Sequence, residues 1–339
     1  MENKMRKFSL FMLLLIAVAL ISLSSCAKKT DTDKSKISIA VIPKGTTHEF
    51  WKSIHAGAVK AANELDVEII WKGPLKEDDR NSQVNVVENF ITRGVDGIVL
   101  APLDNEALAR PVTEAKRAGI EVVIVDSSLN SKDFVSFVST DNYAGGQKAG
   151  VHMAKLLNEK GKIAVLRYAE GSASTQKREQ GFLDAIAKYP NIEVVSSNQY
   201  GGATTETAYK ASENLLAPLR NPDQSLDIQG LFCPNESTTF GMLRALQDNS
   251  LAGKVIFIGF DSSEMLVKAM QNGHIHGLVL QDPMNMGYLG VKTITRHLRG
   301  ETVEARIDTG SVVATPDNMN EPEIQNLLNP DYAKWLESK

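Results

Sequence analysis

The segment Ile37-Ser38-Ile39-Ala40-Val41-Ile42-Pro43-Lys44-Gly45-Thr46-Thr47-His48-Glu49-Phe50-Trp51 decides the fold. A short apolar run stops at Pro43, passes through a polar turn and enters a helix. Thr46 and Glu49 have the spacing of a capping box, which places the helix start there. Trp51, Ile54, Ala58, Ala61 and Leu65 then recur at steps of three and four, the buried stripe of an amphipathic helix. Phe50 lies about 100° off that stripe. One of the two rings is therefore expected to face outward, beside Lys44 and His48, at the C-terminal end of a strand. Open α/β sheets bind ligands at that edge.

The same strand-then-helix pattern repeats through the chain. Strands are predicted over 37–42, 67–71, 97–101, 121–125, 162–166, 192–196, 230–232, 255–260 and 277–280, with an edge-like run at 134–138. Helices are predicted over 49–65, 80–93, 105–118, 143–158, 175–189, 205–219, 237–247, 264–272 and 284–299. Continuous apolar strands alternating with amphipathic helices indicate parallel sheets covered on both faces. So many strands exceed one comfortable sheet. The expected fold is α/β, with two doubly wound parallel-sheet lobes joined near Ser139-Thr140-Asp141. Asp141 is expected to cap the helix that follows, and Gly145-Gly146 to allow close packing. Gly119, Gly161, Gly253 and Gly273 stand where helices should end. No repeat of solenoid period is visible.

The N-terminus has a different character. Lys4, Arg6 and Lys7 precede an uncharged apolar core at 8–21, and Leu23-Ser24-Ser25-Cys26 closes the segment. This pattern is similar to a bacterial lipoprotein signal, residues 1–26, with Cys26 as the lipidated first residue. The apolar core is short for a spanning helix, which needs about 20 apolar residues. Residues 27–36 are polar and charged and read as a flexible tether. With Cys26 lipidated, Cys233 has no partner, so no disulfide forms within the mature chain. Export and anchoring place the domain in the periplasm or at the cell surface, where ATP and NAD pools are lacking. No cofactor is expected. At 339 residues and 42% hydrophobic, the chain can bury two ordinary domains. A net charge of −4 and a pI near 5.9 argue against a nucleic-acid partner.

Polar groups gather where the strands end: Lys44, Asp126-Ser127-Ser128, Asn235-Glu236, Asp261 and Gln281-Asp282. Some can cap the helices that follow, and Asp261 before Ser262-Ser263-Glu264 is the clearest candidate. Two carboxylates, amides, an amine and aromatic rings together suit a small polyhydroxylated molecule. Carboxylates accept from hydroxyls, amides donate and accept, and a ring face packs on the C–H patch of a sugar.

At this point the residues carry a resemblance. Phe50-Trp51, the runs Gly94-Val95-Asp96-Gly97-Ile98-Val99-Leu100 and Val123-Ile124-Val125-Asp126, and Ser139-Thr140-Asp141-Asn142 come in the first half. Arg178-Glu179-Gln180-Gly181-Phe182, Asn235-Glu236, Ile258-Gly259-Phe260-Asp261 and Leu280-Gln281 follow in order. Over the whole mature chain this resembles the type I periplasmic binding proteins of sugar ABC transporters, the ribose-binding group. The resemblance implies two lobes joined by three crossings: 37–140 plus 282–307, and 141–281 plus 308–339. It implies closure on a small sugar, delivery to an ABC permease, and a monomer. It implies that Phe50 and Trp51 sandwich the ring, that His48 makes a polar contact, and that Asp126, Asn235, Asp261 and Gln281 bind hydroxyls. The chain departs from the family where an arginine falls on Gln176, with Arg178 close by, and where a small residue falls on Lys44. Lys44 and Pro234 are also similar to receptors for a furanose-like quorum signal, although Thr175 stands where those carry an acid.

Two other readings stay open: a domain binding a signal or sugar acid that feeds a membrane receptor, and an exported carbohydrate-active enzyme. No G-x-S-x-G, P-loop, G-x-G-x-x-G or H-E-x-x-H motif supports the enzyme. Gly171-Ser172-Ala173-Ser174 reads as a polar loop. His274 and His276 share one face of a strand without a third ligand, so no metal is expected. A repressor would need a basic helix-turn-helix where the export signal stands.

Overall fold

The computed structural model describes residues 36–337. The export signal ending at Cys26, and the tether except Lys36, lie outside the described residues. Twelve strands form two six-stranded sheets. The first orders its strands β11-β5-β4-β3-β1-β2, from β1 (Ser38–Ile42), β2 (Glu68–Trp71), β3 (Gly97–Leu100), β4 (Glu121–Val125), β5 (Ser136–Ser139) and β11 (Arg306–Asp308). The second is β12-β10-β9-β8-β6-β7, from β6 (Lys160–Arg167), β7 (Asn191–Tyr200), β8 (Gly230–Phe232), β9 (Ile256–Phe260), β10 (Gly277–Leu280) and β12 (Val312–Ala314). Every pairing is parallel except β10 with β12. Both cores use the doubly wound order in which the chain reverses beside the first strand, and ligands bind at such a switch point.

The helices are α1 (Glu49–Leu65), α2 (Arg80–Arg93), α3 (Ala109–Arg117), α4 (Asn142–Leu156), α5 (Ala173–Ile186), α6 (Thr205–Leu216), α7 (Glu236–Asp248), α8 (Glu264–Gln271), α9 (Pro283–Leu298), α10 (Pro322–Leu328) and α11 (Ala333–Leu336). Each sheet buries its apolar strands between two helical layers, which gives separate clusters on its two faces. The chain passes between lobes at three places, after β5, β10 and β11. Among the described residues no helix is long and apolar enough to cross a membrane.

Several local expectations change. The N-cap of α1 is His48, not Thr46, and its side chain makes no capping bond. Instead, Glu236 from the other lobe accepts from the backbone N–H groups of Glu49 and Phe50 at 3.3 and 3.2 Å. Residues 134–138 are not a sheet edge, because β11 pairs outside β5. β11 and β12 escaped the sequence reading because three residues carry too little periodicity. Asp308 belongs to β11, so the third crossing begins one residue later than expected. α11 packs on α1 of the first lobe, so the tail of the chain does not belong to the second lobe alone. Gly161 and Gly253 do not end helices. Asn158 and Glu159 after α4, and Ser250 after α7, turn the chain at positive φ instead. His274 and His276 lie in the turn before β10, where they bond Gln247 and the Phe257 N–H.

α1 and α9 cross at unusually close range. A Cβ on Gly57 would lie 1.8 Å from the Met284 carbonyl oxygen, and one on Gly287 would lie 2.0 Å from that of Ile54. Overpacking a rigid backbone contact costs about 1–3 kcal/mol or more. Gly57→Val should therefore cost at least about 3 kcal/mol in urea unfolding. An unchanged midpoint would mean that the helices can part freely.

Candidate functional site

Both lobes aim the C-terminal ends of their strands at the same space. Lys44 enters it after β1 and Asp126 after β4, while Asp261 enters from the opposite side after β9. Both aspartates sit in the left-handed region, at φ 60° and 68°. That conformation is uncommon for a residue with a side chain and costs of order 1 kcal/mol or more. The two lobes thus use the same strained device, each turning a carboxylate inward at the end of a strand. Asp261 does not cap α8; Ser263 does. The Asp261 carboxylate accepts from the Glu236 N–H at 3.1 Å and from Gln281 Nε2 at 2.7 Å.

Lys44, His48, Phe50, Trp51, Asp126, Arg178, Asn235, Asp261 and Gln281 line one chamber between the lobes. Gln176 does not. It sits on the solvent side of α5, because Arg178, two positions and about 200° further round the helix, takes the inward face. The sequence reading missed Glu77 and Tyr168; it has Ser172 and Ser174 only as a polar loop, Thr175 only where similar receptors carry an acid, and Glu236 only as a neighbour of Asn235. Tyr168 follows β6 and could have been found by the strand-end rule. Glu77 lies in a charged loop after β2 and carried no local signal.

The chamber is a web of buried ion pairs. Lys44 Nζ lies 2.7 Å from Asp126 Oδ2 and donates to Ser174 Oγ of the other lobe at 3.0 Å. Arg178 lies between Asp126 and Asp261, at 3.8 and 3.7 Å. Its Nε donates to Asn142 Oδ1 and its Nη1 to the Pro234 carbonyl, and its guanidinium stacks over Phe260 with 4.1 Å to the centroid. Asn235 is committed in part, since its Oδ1 caps α7 at the Thr238 N–H.

Glu77 ties the aromatic end together. It accepts from Trp51 Nε1 at 2.6 Å and from Tyr168 Oη at 2.7 Å, and lies 2.6 Å from His48 Nδ1. Burial alone would lower the His48 pKa and raise that of Glu77, but their mutual attraction outweighs it. His48 is raised to about 9 and Glu77 lowered to about 2. Burial raises Glu236 to about 7 and also raises Asp261, against the pull of Arg178.

Phe50 and Trp51 meet edge to face, with centroids 4.9 Å apart and planes at 90°. They cannot sandwich a ring between them. Both line the chamber and are buried, so neither faces solvent. The space left is about 20 Å³, room for about one water molecule. A larger ligand enters only if the lobes part or Lys44 and the rings move.

Two doubly wound lobes with a closed polar chamber at their facing strand ends define a binding protein of the hinge-closing kind. The chain belongs to the periplasmic binding protein family: the model for the periplasmic binding protein domain matches residues 39–302. It is 30% identical over 287 residues to the ribose import binding protein RbsB of Haemophilus influenzae, covering 85% of this chain and 92% of that one. Among solved structures it is similar to a carbohydrate transporter solute binding protein from Agrobacterium radiobacter in complex with D-arabinose. That pair has a TM-score of 0.83 and 35% identity, covering 87% of this chain and all of the other. An ABC transporter solute binding protein from Agrobacterium vitis with bound D-fucose gives 0.81 and 38%, covering 86% and 99%. These relatives are named as sugar import and solute binding proteins.

Proposed function

We propose that this chain is an exported lipoprotein, anchored through Cys26, that binds a neutral monosaccharide between its lobes and delivers it to an ABC permease. One observation carries the reading. The hydroxyl-binding residue types from both lobes line a single buried chamber whose charges nearly cancel. Lys44, Arg178 and protonated His48 face Glu77, Asp126, Asp261 and Glu236, the last near its own titration point. A charge-balanced site suits a neutral polyol better than a sugar acid. Lys44 with Ser174, Tyr168 with Glu77, and Glu236 with the start of α1 hold the closed form. Ligand that touches both lobes shifts the population toward it.

The test is titration with pentoses, hexoses and sugar acids, followed by emission and melting temperature. Trp51 alone of the tryptophans lines the chamber, so a Trp71→Phe/Trp335→Phe background isolates its signal. A neutral pentose or hexose should shift Trp51 emission and bind near 1 μM, about −8.2 kcal/mol. A panel that changes neither readout refutes the sugar. Palmitate labelling that is lost in Cys26→Ser checks the anchor, and uptake in a permease-deletion strain checks delivery.

A further inference from the structure

Beside the inner chamber lies a second space of about 380 Å³, within the range of small-molecule pockets. The two share a wall of Phe50, Asp261 and Gln281. The outer wall is the tail of the chain. After α10 it runs from the second lobe to α1 of the first, where Tyr332 Oη donates to the Glu49 carboxylate and Lys60 Nζ lies 5.9 Å from the Trp335 ring centroid. The family match ends at residue 302, so this wall lies beyond it. Gln281, on the shared wall, is 3% exposed and leaves its Oε1 without a hydrogen-bond partner among the described residues.

We propose that the site also takes a ligand larger than one sugar ring: a glycoside whose sugar occupies the inner chamber and whose neutral second ring extends past Gln281 into the tail-walled cleft. This rests on the sugar reading above. The first ring needs the inner groups to move apart, whereas the second finds its volume already present. Phe50 and Tyr332 offer ring faces, and the free Gln281 oxygen is an acceptor for a hydroxyl at the junction. Among the described residues no Lys, Arg or His lines the cleft, while Glu49, Asp261, Glu264 and Asp331 do. A phosphate or uronate substituent would be repelled there.

Calorimetry on the protein with D-ribose, D-allose, D-arabinose and D-fucose identifies the tightest parent sugar. Its α- and β-phenyl glycosides and its 1-phosphate are then compared with it. One phenyl anomer should bind at least tenfold tighter than the parent, and the 1-phosphate at least tenfold weaker. Ala333→Trp, which fills the cleft from the tail, should remove the glycoside's advantage and leave the parent within twofold. Tyr332→Ala should reduce the same advantage should the bulkier variant fail to fold. If the parent binds and both phenyl anomers bind more weakly, the extended ligand is refuted and the monosaccharide stands. If the 1-phosphate matches the parent, the charge argument fails, and the extended neutral ligand with it. If neither parent nor glycoside binds, the sugar reading itself is wrong.

Discussion

Arg178→Met is expected to abolish sugar binding and to cost about 3–5 kcal/mol of stability, the range for breaking one side of a buried ion pair. The methionine nearly fills the volume, so packing changes little. Asp126 and Asp261, 3.8 and 3.7 Å from the guanidinium, lose their shared counter-charge while remaining buried. The Asn142 Oδ1 and the Pro234 carbonyl lose their donor as well. Urea unfolding and a sugar titration report the two effects separately. Arg178→Lys should rescue neither, because an ammonium cannot meet both acceptors at once and stack flat on Phe260. Full recovery with lysine would show that only the charge matters and that the planar geometry does not.

The second large effect concerns Glu77 and His48, and its sign follows from linkage. His48 is raised above its unfolded value, so its contribution is complete below pH 6.5 and is lost as pH rises through about 9. Glu77 is depressed, so its contribution is present above pH 4.5 and is lost as pH falls through about 2. The pair, counted once, contributes about 3 kcal/mol in the window between pH 4.5 and 6.5. Glu77→Gln should remove the alkaline limb of the stability profile. It should also bring the His48 imidazole titration, followed by NMR, down to 6.5 or lower, since burial, the largest influence, is then opposed only by the more distant Glu236 and Asp261. An imidazole that still titrates near 9 in the variant would assign the shift to Glu236 and Asp261 instead.

Much of this molecule was legible as text. The apolar runs ending at Ile42, Val125, Phe232, Phe260 and Leu280 are the strands, because a strand buried on both faces has no polar alternation to hide it. Asp141 caps α4 through the Ala144 N–H, as its placement predicts. The strand-end rule brought Lys44, Asp126, Asn235, Asp261 and Gln281 to notice, because in a parallel sheet every such end lies on the same edge.

Other features could not be read that way. Gln176 and Arg178 are two residues apart, and only the docking of α5 on its sheet decides which turns inward. Glu77 enters the chamber from a loop and matters through Trp51, His48 and Tyr168, which come from two lobes. The start of α1 is held by Glu236, 186 residues away from Phe50, and not by a local cap.

Periodicity and strand ends are local properties, so the alternation of strands and helices, the two-lobe division and the edge where polar groups collect are all written in the order of the residues. Which polar groups meet, how their charges cancel and that the tail walls a second cleft emerge when the folded lobes come together. Those depend on distances between residues that the chain holds far apart, and no spacing along it encodes them.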